Sequence, residues 1–333
     1  MLGLERLLAL TKADIYLGHN IDTLLPISRV AVESGAPAMF DSMEFHSDVG
    51  DGQSELDRAL VRSIENDCLP RCGLIMASSD QVADALVEQY GVERPLPLYN
   101  KPPLEKGLPP RSGDSFALYW RNTVIGLGQR GLEEALVAIS RLPARVTLHL
   151  QGALPKNGTA GLEARISGLG IVPRVVFHAP YQSQDAVREA ARHTVGLCLE
   201  RKGIRNHELT VSNKIFDYHM AGLATLASDL AGLRAVINRS SGGLLFAPGS
   251  VDDLVEKISL LYANTTLLLR LQANARAFAL REGNREMEMK KFVAAFSEVC
   301  RHRLASRFAA PDCRSPVVSS TVARSLSADG QSQ

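Results

Sequence analysis

Short apolar segments with the composition of β-strands alternate with amphipathic helical segments through most of this chain. This alternation is typical of parallel sheets whose strands are joined by crossover helices. The first series has strands at Asp14–His19, Pro37–Asp41, Gly73–Ser78 and Leu96–Tyr99, and helices near Thr23–Glu33, Glu55–Asn66 and Gln81–Tyr90. We therefore predict an α/β fold.

A proline-rich segment, Lys101–Gly113, interrupts the alternation with four prolines and two glycines. Such a composition is incompatible with helix or strand interiors, so we place a domain boundary here. A second series follows, with strands near Ser115–Trp120, Arg145–Gln151, Arg174–His178, Val195–Leu199, Ala224–Ala227 and Leu244–Phe246. We expect residues 1–110 and 114–283 to form two domains, with a ligand cleft between the carboxyl ends of their strands.

The C-terminal part continues as helices, predicted at Val251–Tyr262, Thr265–Ala279 and Glu286–His302. We expect residues 284–304 to pack back toward the first domain. From Ala305 the chain is rich in Ser, Ala, Pro and Arg without periodicity, so we predict a disordered tail at residues 305–333.

Composition excludes several classes of function. Lys and Arg total 37 against 36 Asp and Glu, a formal net charge of +1, so no global field favours nucleic acid. We see neither a signal peptide nor a membrane span and expect a cytoplasmic protein with reduced cysteines. Cys68 and Cys72 resemble half of a zinc site, but no second Cys or His pair lies at a matching spacing, so we expect no metal there.

The glycine-rich run Gly126-Leu-Gly128-Gln-Arg-Gly131 fits the pattern G-x-G-x-x-G. A dinucleotide site is disfavoured because five residues separate it from the strand predicted to end at Trp120, and because the next strand ends in Gln151-Gly152 without a ribose-binding carboxylate. A simple turn is the structural alternative. Arg130 beside these glycines favours a diphosphate site.

The segment Ser212-Asn213-Lys214-Ile-Phe-Asp217 holds a second candidate anion site. Ser212 and Asn213 are suited to cap a helix whose first turn exposes Lys214 to an anion. Asp217 lies three residues further on, on the same helical face, where it could accept hydrogen bonds from a diol such as ribose. The alternative is an ordinary solvated ion pair between Lys214 and Asp217.

Three segments resemble retaining glycosyltransferases of the GT-B fold, family 4 type. Ser212–Val236 is similar to their block PNK-[LI]-F-E-Y-x-A-A-G-x-P-V-x-A-S-D-x-x-G-x-R-x-x-V. Ala13–Leu24 resembles ADVYHAHDLDTL, and Phe40–Phe45 resembles YDSHELY. The resemblance extends from about Ala13 to about Arg303 and implies two Rossmann-like domains.

The resemblance also implies roles for individual residues. Asp217 would bind the nucleotide ribose, Arg130 and Lys214 would hold the donor diphosphate, and His19 would be catalytic, near the anomeric carbon. The implied donor-binding residues are Gly128, Arg130, Gly131, Ser212, Asn213, Lys214 and Asp217, and the implied acceptor-side residues are Asn20 and Glu44.

The chain departs from the family pattern at several positions. Leu209 replaces the first glutamate of the E-x7-E motif, and Leu17, Asn20 and Met43 replace polar residues of the acceptor pocket. Family members also have a strand, a glycine-rich loop, a helix and two further strands before the segment that resembles Ala13 onward. We therefore expect an incomplete N-terminal domain and weak activity of the chain as given.

The resemblance implies transfer of a sugar from a nucleotide-diphosphate-sugar donor to a hydroxyl acceptor with retention of anomeric configuration. The nucleotide sugar is a co-substrate, and no further cofactor or metal is expected. The acceptor is left open among a glycan, a lipid and a small molecule, as is peripheral contact with the inner membrane face. The alternative is a non-catalytic nucleotide-sugar-binding or scaffold homologue; an oxidoreductase is a distant third.

Overall fold

The computed structural model of the chain describes residues 2–50, 52–110, 116–128, 130–155 and 158–308. Two separate parallel sheets of four and six strands are formed by these residues. The predicted α/β fold with two Rossmann-like sheets is confirmed. None of the helices in the described ranges is both long enough and apolar enough to cross a membrane.

The first sheet has the strand order β1-β2-β3-β4, so each strand lies beside its neighbour in sequence. Its strands are β1 (Tyr16–His19), β2 (Ala38–Ser42), β3 (Cys72–Ala77) and β4 (Leu96–Pro97). The accompanying helices are α1 (Leu2–Ala9), α2 (Ile21–Ser34), α3 (Glu55–Cys68) and α4 (Asp80–Tyr90). Helix α3 begins with a capping box in which Ser54 and Asp57 bond reciprocally.

The second sheet has the order β10-β9-β8-β5-β6-β7, with β5 near its centre and β7 at one edge. Its strands are β5 (Phe116–Val124), β6 (Val146–Ala153), β7 (Val175–His178), β8 (Val195–Cys198), β9 (Ala224–Ser228) and β10 (Gly243–Phe246). The helices are α5 (Leu132–Ser140), α6 (Ala160–Gly168), α7 (Ala186–Ala190), α8 (Arg205–Leu209), α9 (Lys214–Met220), α10 (Ala231–Ser240), α11 (Val251–Ala263), α12 (Thr265–Arg281) and α13 (Arg285–Phe308).

Strand β5 corrects the sequence analysis, which ended it at Trp120. Pairing with β6 continues through a register shift to Val124, opposite Ala153. The polar segment 121–123 is therefore part of a bulged strand, because the neighbouring strand continues to supply backbone partners. Gly126 follows the strand closely, so the distance argument against a dinucleotide loop was wrong. The second argument against a dinucleotide site still holds, because β6 ends without a carboxylate that could bind ribose.

Helix α13 corrects the predicted start of the tail. The helix continues to Phe308, so residues 305–308 are helical; the rest of the predicted tail lies outside the described residues. Ala305 and Arg307 are strong helix formers, and the first proline beyond them is Pro311.

Each sheet has its own hydrophobic core, and α13 joins the second part of the chain to the first sheet. Val299 of α13 is buried with Met39 and Met76, which come from β2 and β3. Nearby, the Lys101 ammonium in the linker lies 2.6 Å from a Glu288 carboxylate oxygen of α13, and both side chains are 7% exposed. These contacts of α13 connect the second part of the chain to the first sheet and to the linker.

Candidate functional site

Two adjoining cavities of about 690 and 660 Å³ lie between the carboxyl ends of the two sheets. The first is lined from the first sheet by Asp41 and Glu44, and from the second by Glu200 and Lys214. The second extends over the linker and the loops after β6 and β7. Both are lined by Asn100, Arg121, Asn122, Thr123, Asn213 and Lys214. Their volumes fall in the usual range of small-molecule sites.

Lys214, the first residue of α9, lies where the two cavities meet. Lys214 is 8% exposed, and its ammonium lies 5.7 Å from the centre of the Trp120 ring. Burial lowers the pKa of Lys214 to about 8; the Glu200 carboxylate opposes this shift, and the Arg130 guanidinium adds to it. The lysine still carries a proton in most molecules at neutral pH, so it offers a poorly solvated positive charge to a ligand.

Arg130 brings a second cation to the first cavity. Its guanidinium lies 2.8 Å from a Glu200 carboxylate oxygen, and its side chain is 38% exposed. Glu200 is almost fully buried, and its second carboxylate oxygen has no hydrogen-bond partner among the described residues. Arg130 and Lys214 therefore share one buried carboxylate, which leaves the group with a net positive charge.

Asp217 lines the second cavity together with Lys214, as their three-residue spacing predicts. Its carboxylate pairs with the Arg121 guanidinium at the carboxyl end of β5 and is 11% exposed. Burial raises the pKa of Asp217 to about 6, although Arg121 acts in the opposite direction. The alternative of a solvated Lys214–Asp217 pair is wrong, because both residues are buried and Asp217 pairs across the sheet.

Glu44 connects the two sides of the cleft. It accepts a 2.6 Å hydrogen bond from the side chain of Asn206, and the Asn206 amide oxygen accepts one of 2.7 Å from the backbone N–H of Phe45. Glu44 therefore lies on the wall of the first cavity, and its bond to Asn206 links the two sides of the cleft. Its acceptor-side role stays a prediction.

His19 and Asn20 lie at the carboxyl end of β1. The His19 Nδ1 atom is 2.9 Å from an Asp41 carboxylate oxygen, and its side chain is 59% exposed. His19 lines a smaller neighbouring cavity, and Asp41 lines both this cavity and the first one. The Asn20 side chain caps α2 by accepting from the Ile21 N–H, so its structural contact is local.

The glycine-rich loop positions Arg130 but does not line either large cavity with its glycines. Gly128 and Gly131 have φ of 79° and 73°, conformations that favour glycine. A Cβ on Gly131 would also lie 3.0 Å from Leu199. Arg130 itself has φ of 38°. The loop thus turns tightly against β8 and directs the arginine toward Glu200.

Ser212 and Asn213 line the first cavity, but the predicted cap is wrong. Asn213 occupies the N-cap position in a helical conformation and makes no side-chain capping bond. The reason is local: with φ of −53° and ψ of −26°, Asn213 has a helical backbone and not the extended conformation from which an N-cap side chain accepts from the N–H groups of the first turn. Because α9 has only seven residues, we attribute anion binding at this site to its side chains and not to the N-terminus of the helix.

Sequence reasoning missed Arg121, Glu200 and Asn206. Arg121 lies in the last part of β5, and Glu200 follows β8; both are at the carboxyl edge of the second sheet, which is the position where parallel sheets bind ligands. That signal was available, but it does not distinguish these residues from others in the loops. Asn206 carried no comparable signal, because its partner Glu44 is 162 residues away.

Comparison with known proteins gives a family match for the second sheet. Residues 124–264 match the family described as glycosyl transferases group 1. The matched segment includes Arg130, Lys214 and Asp217. No curated protein matches the chain as a whole or in part.

Several solved structures share the fold of both sheets. HepE from Anabaena in complex with UDP has a TM-score of 0.72 and 14% identity, covering 89% of this chain and 81% of its own. A glycosyltransferase from Rickettsia africae has a TM-score of 0.74 and 13% identity, covering 90% and 81%. Sucrose-phosphate synthase from Thermosynechococcus elongatus has a TM-score of 0.67 and 14% identity, covering 88% and 74%. At these identities the likeness shows the GT-B fold alone.

Proposed function

We propose that this protein, whose second sheet contains the match to the group 1 glycosyltransferases, binds a nucleotide-diphosphate sugar and transfers its sugar, a hexose, to a hydroxyl acceptor with retention at the anomeric carbon. The family match covers residues 124–264. The proposal for this chain rests on the arrangement of charges in the cleft.

The observation that carries the proposal is the position of Lys214 between the two cavities. A nucleotide sugar has a diphosphate at its centre, a nucleoside on one side and a sugar on the other. Lys214 lines both cavities, and Arg130 lies on the first-cavity side of it. A diphosphate at this junction would interact with both cations, leaving the second cavity for the nucleoside and the first for the sugar.

Asp217 and Arg121 supply the polar wall of the nucleoside side. The Asp217 carboxylate is already held by Arg121, so its free lone pairs could accept hydrogen bonds from the ribose hydroxyls in a fixed orientation. Tyr181 and Gln151 also line this cavity. HepE, solved with UDP and with UDP-glucose, offers a precedent for such a ligand in this fold.

The first sheet would supply the acceptor side. His19 and Asp41 lie across the cleft from Lys214, and Glu44 lies on the wall of the first cavity. Transfer needs charge stabilisation on the departing diphosphate and exclusion of water from the anomeric carbon. Arg130 and Lys214 serve the first need. The leaving phosphate oxygen can take the proton of the attacking hydroxyl on the same face, so a protein base is not required for retention.

The second candidate is a nucleotide-sugar-binding homologue without turnover. It is favoured by two apolar side chains beside the acceptor residues: Leu17 is 42% exposed and lies next to His19, and Met43 is 49% exposed and lines the first cavity. They replace polar positions of the family pattern. The two candidates share donor binding and differ only in transfer.

Donor binding is tested by calorimetry of the full chain with UDP, GDP and ADP, using Lys214→Met and the matched control Lys202→Met. Lys202 is exposed in the loop before α8. We expect one nucleotide to bind, and Lys214→Met to weaken it by about 10- to 100-fold, because a hydrogen bond to a charged group contributes about 1.5–3 kcal/mol. The control is expected to bind like the wild type.

Equal losses in the two variants would mean that general electrostatics, and not the site, binds the nucleotide. Absence of binding with all three nucleotides would contradict donor binding altogether. Turnover of a nucleotide-sugar panel with a mixed pool of acceptors then separates a transferase from a binding protein.

A further inference from the structure

Three histidines outside the cleft meet on one face of the second sheet. His149 lies on β6, His178 ends the edge strand β7, and His193 follows α7. None of them lines the two large cavities. Their separation along the chain hid them from the sequence analysis, which sought metal ligands only at Cys68 and Cys72.

The three imidazoles lie close together. The Nδ1 atom of His149 lies 2.9 Å from the Nε2 atom of His178. One ligand atom from each of the three rings can be chosen so that all lie within 4.8 Å of one another. The ring centres are 4.7 Å apart for His149 and His193, 5.1 Å for His149 and His178, and 5.7 Å for His178 and His193.

In two of the rings, one nitrogen has a partner outside the three histidines. The Nδ1 atom of His193 lies 3.1 Å and 3.2 Å from the carbonyl oxygens of Glu189 and Ala190. Since carbonyls only accept, this nitrogen carries the proton and Nε2 keeps its lone pair. The Nε2 atom of His149 is 3.1 Å from the Thr147 hydroxyl. Metal-ligating histidines characteristically use their second nitrogen in this way.

A shared hydrogen bond explains part of the arrangement without a metal. It accounts for the 2.9 Å contact between His149 and His178, but it does not require the third ring. His193 is 3% exposed and is held by stacking on Tyr119, with ring centres 4.3 Å apart. A fixed third imidazole with an available nitrogen is the feature that a metal site needs.

We propose that His149, His178 and His193 bind one first-row transition-metal ion, with Zn²⁺ as the expected occupant and water in the fourth position. Imidazole nitrogens suit zinc, copper and nickel, and three histidines with one open position form a known class of zinc site. Zinc lies about 2.0–2.1 Å from a ligating imidazole nitrogen, so the ring nitrogens, which lie within 4.8 Å of one another, would move closer together when the ion binds.

A bound ion would tie the edge of the sheet together. Among the described strands, β7 pairs with β6 alone and is partly exposed, whereas His193 belongs to the segment after α7. The loop and helix between them, represented by Tyr181 and Val187, line the second cavity. Tyr119, which stacks on His193, also bonds to Gln151 of the same cavity. The ion would therefore stabilise the wall of that cavity without touching its ligand.

The test uses the full chain without a histidine tag, stripped with EDTA, and titrated with Zn²⁺ by calorimetry and with Co²⁺ by visible absorption. We compare the wild type with His178→Asn, His149→Gln and the control His302→Asn, whose histidine is exposed on α13. We expect one ion per chain, a tetrahedral Co²⁺ spectrum and a higher melting temperature with Zn²⁺. Each cluster variant should bind at least about 100-fold more weakly, and the control should bind normally.

Melting of the stripped proteins checks that the variants fold. If His149→Gln does not fold, His178→Asn decides the test, because His178 is only partly buried. The proposal is overturned if the wild type fails to bind Zn²⁺ at micromolar concentration, or if binding survives in the folded cluster variants.

Discussion

At the scale of single residues, the burial of Lys214 has opposite effects on anion binding and on the stability of the protein. An ammonium that is 8% exposed interacts strongly with an anion, because little water competes for it. The same burial disfavours the charged lysine in the folded protein and lowers its pKa from 10.5 to about 8. A shift of this size corresponds to about 3 kcal/mol. The site is thus built at a cost to stability, which is typical of functional residues.

This conflict predicts that Lys214→Met is more stable than the wild type at pH 7 although it binds nucleotide more weakly. Below pH 8 the lysine is protonated in both the folded and the unfolded chain, so the full penalty is present. Between pH 8 and 10.5 the folded lysine loses its proton first, and the wild type regains stability relative to the variant. Urea unfolding of both proteins from pH 7 to 10.5 measures the difference.

We expect the advantage of the variant, up to about 3 kcal/mol at pH 7, to shrink toward zero as the pH approaches 10.5. Lys202→Met, which removes an exposed charge, should show no such pH dependence. A difference that is constant with pH would mean that the ammonium is not destabilised by burial.

At the scale of secondary-structure elements, the close approach of α9 to the second sheet places Lys214 and Asp217. Gly196 of β8 allows this approach, because a Cβ at its position would lie 2.3 Å from the fully buried ring of Tyr218. The ring is also fixed edge-on against Tyr119. Because the ring is fully buried, its displacement would require neighbouring side chains to move as well.

We predict that Gly196→Ala displaces α9, destabilises the protein by about 1–3 kcal/mol and weakens nucleotide binding. Gly168→Ala is the matched control: Gly168 ends α6 with open space around it, and alanine should leave stability unchanged or raise it slightly. Unfolding and calorimetry of both variants provide the measurement. If Gly196→Ala is destabilised but binds the nucleotide normally, the packing of α9 against β8 does not position the binding site.

At the scale of the whole molecule, a buried ion pair fixes α13 to the linker between the sheets. Glu288 accepts from the Lys101 ammonium, from the backbone N–H of Tyr99 at 3.0 Å and from Lys291 at 2.8 Å. Burial lowers the pKa of Lys101, whereas Glu288 acts to raise it. Removing the carboxylate would leave this lysine charged and poorly solvated.

We predict that Glu288→Ala destabilises the protein by about 3–5 kcal/mol, the usual loss when one partner of a buried pair is removed. The control is Glu298→Ala, which breaks an exposed pair with Arg301 on the same helix and should change stability by less than about 1 kcal/mol. Denaturant unfolding compares the two. Equal effects would show that the Lys101–Glu288 pair does not hold α13 in place.

Local patterns in the sequence predicted the strands and the spacing of Lys214 and Asp217. A strand or a helix depends on periodicity over neighbouring residues, and that information is contiguous in the chain. The end of β5 was wrong because a distant partner decides that boundary, whereas the missing cap of Asn213 has a local cause. β5 continues past Trp120 because β6 pairs with it, and Asn213 makes no cap because its backbone is already helical.

By itself, the sequence determined the α/β elements, their alternation and the residues available for chemistry at the ends of the strands. Only the tertiary structure decided which of those residues meet. Arg121 and Asp217 are 96 residues apart, yet they pair because β5 lies beside β8 and α9 packs over that face. His149, His178 and His193 converge for the same reason: the strand order β8-β5-β6-β7 of the folded sheet brings distant segments together. Partner choice in a parallel sheet follows strand order, which no local pattern encodes.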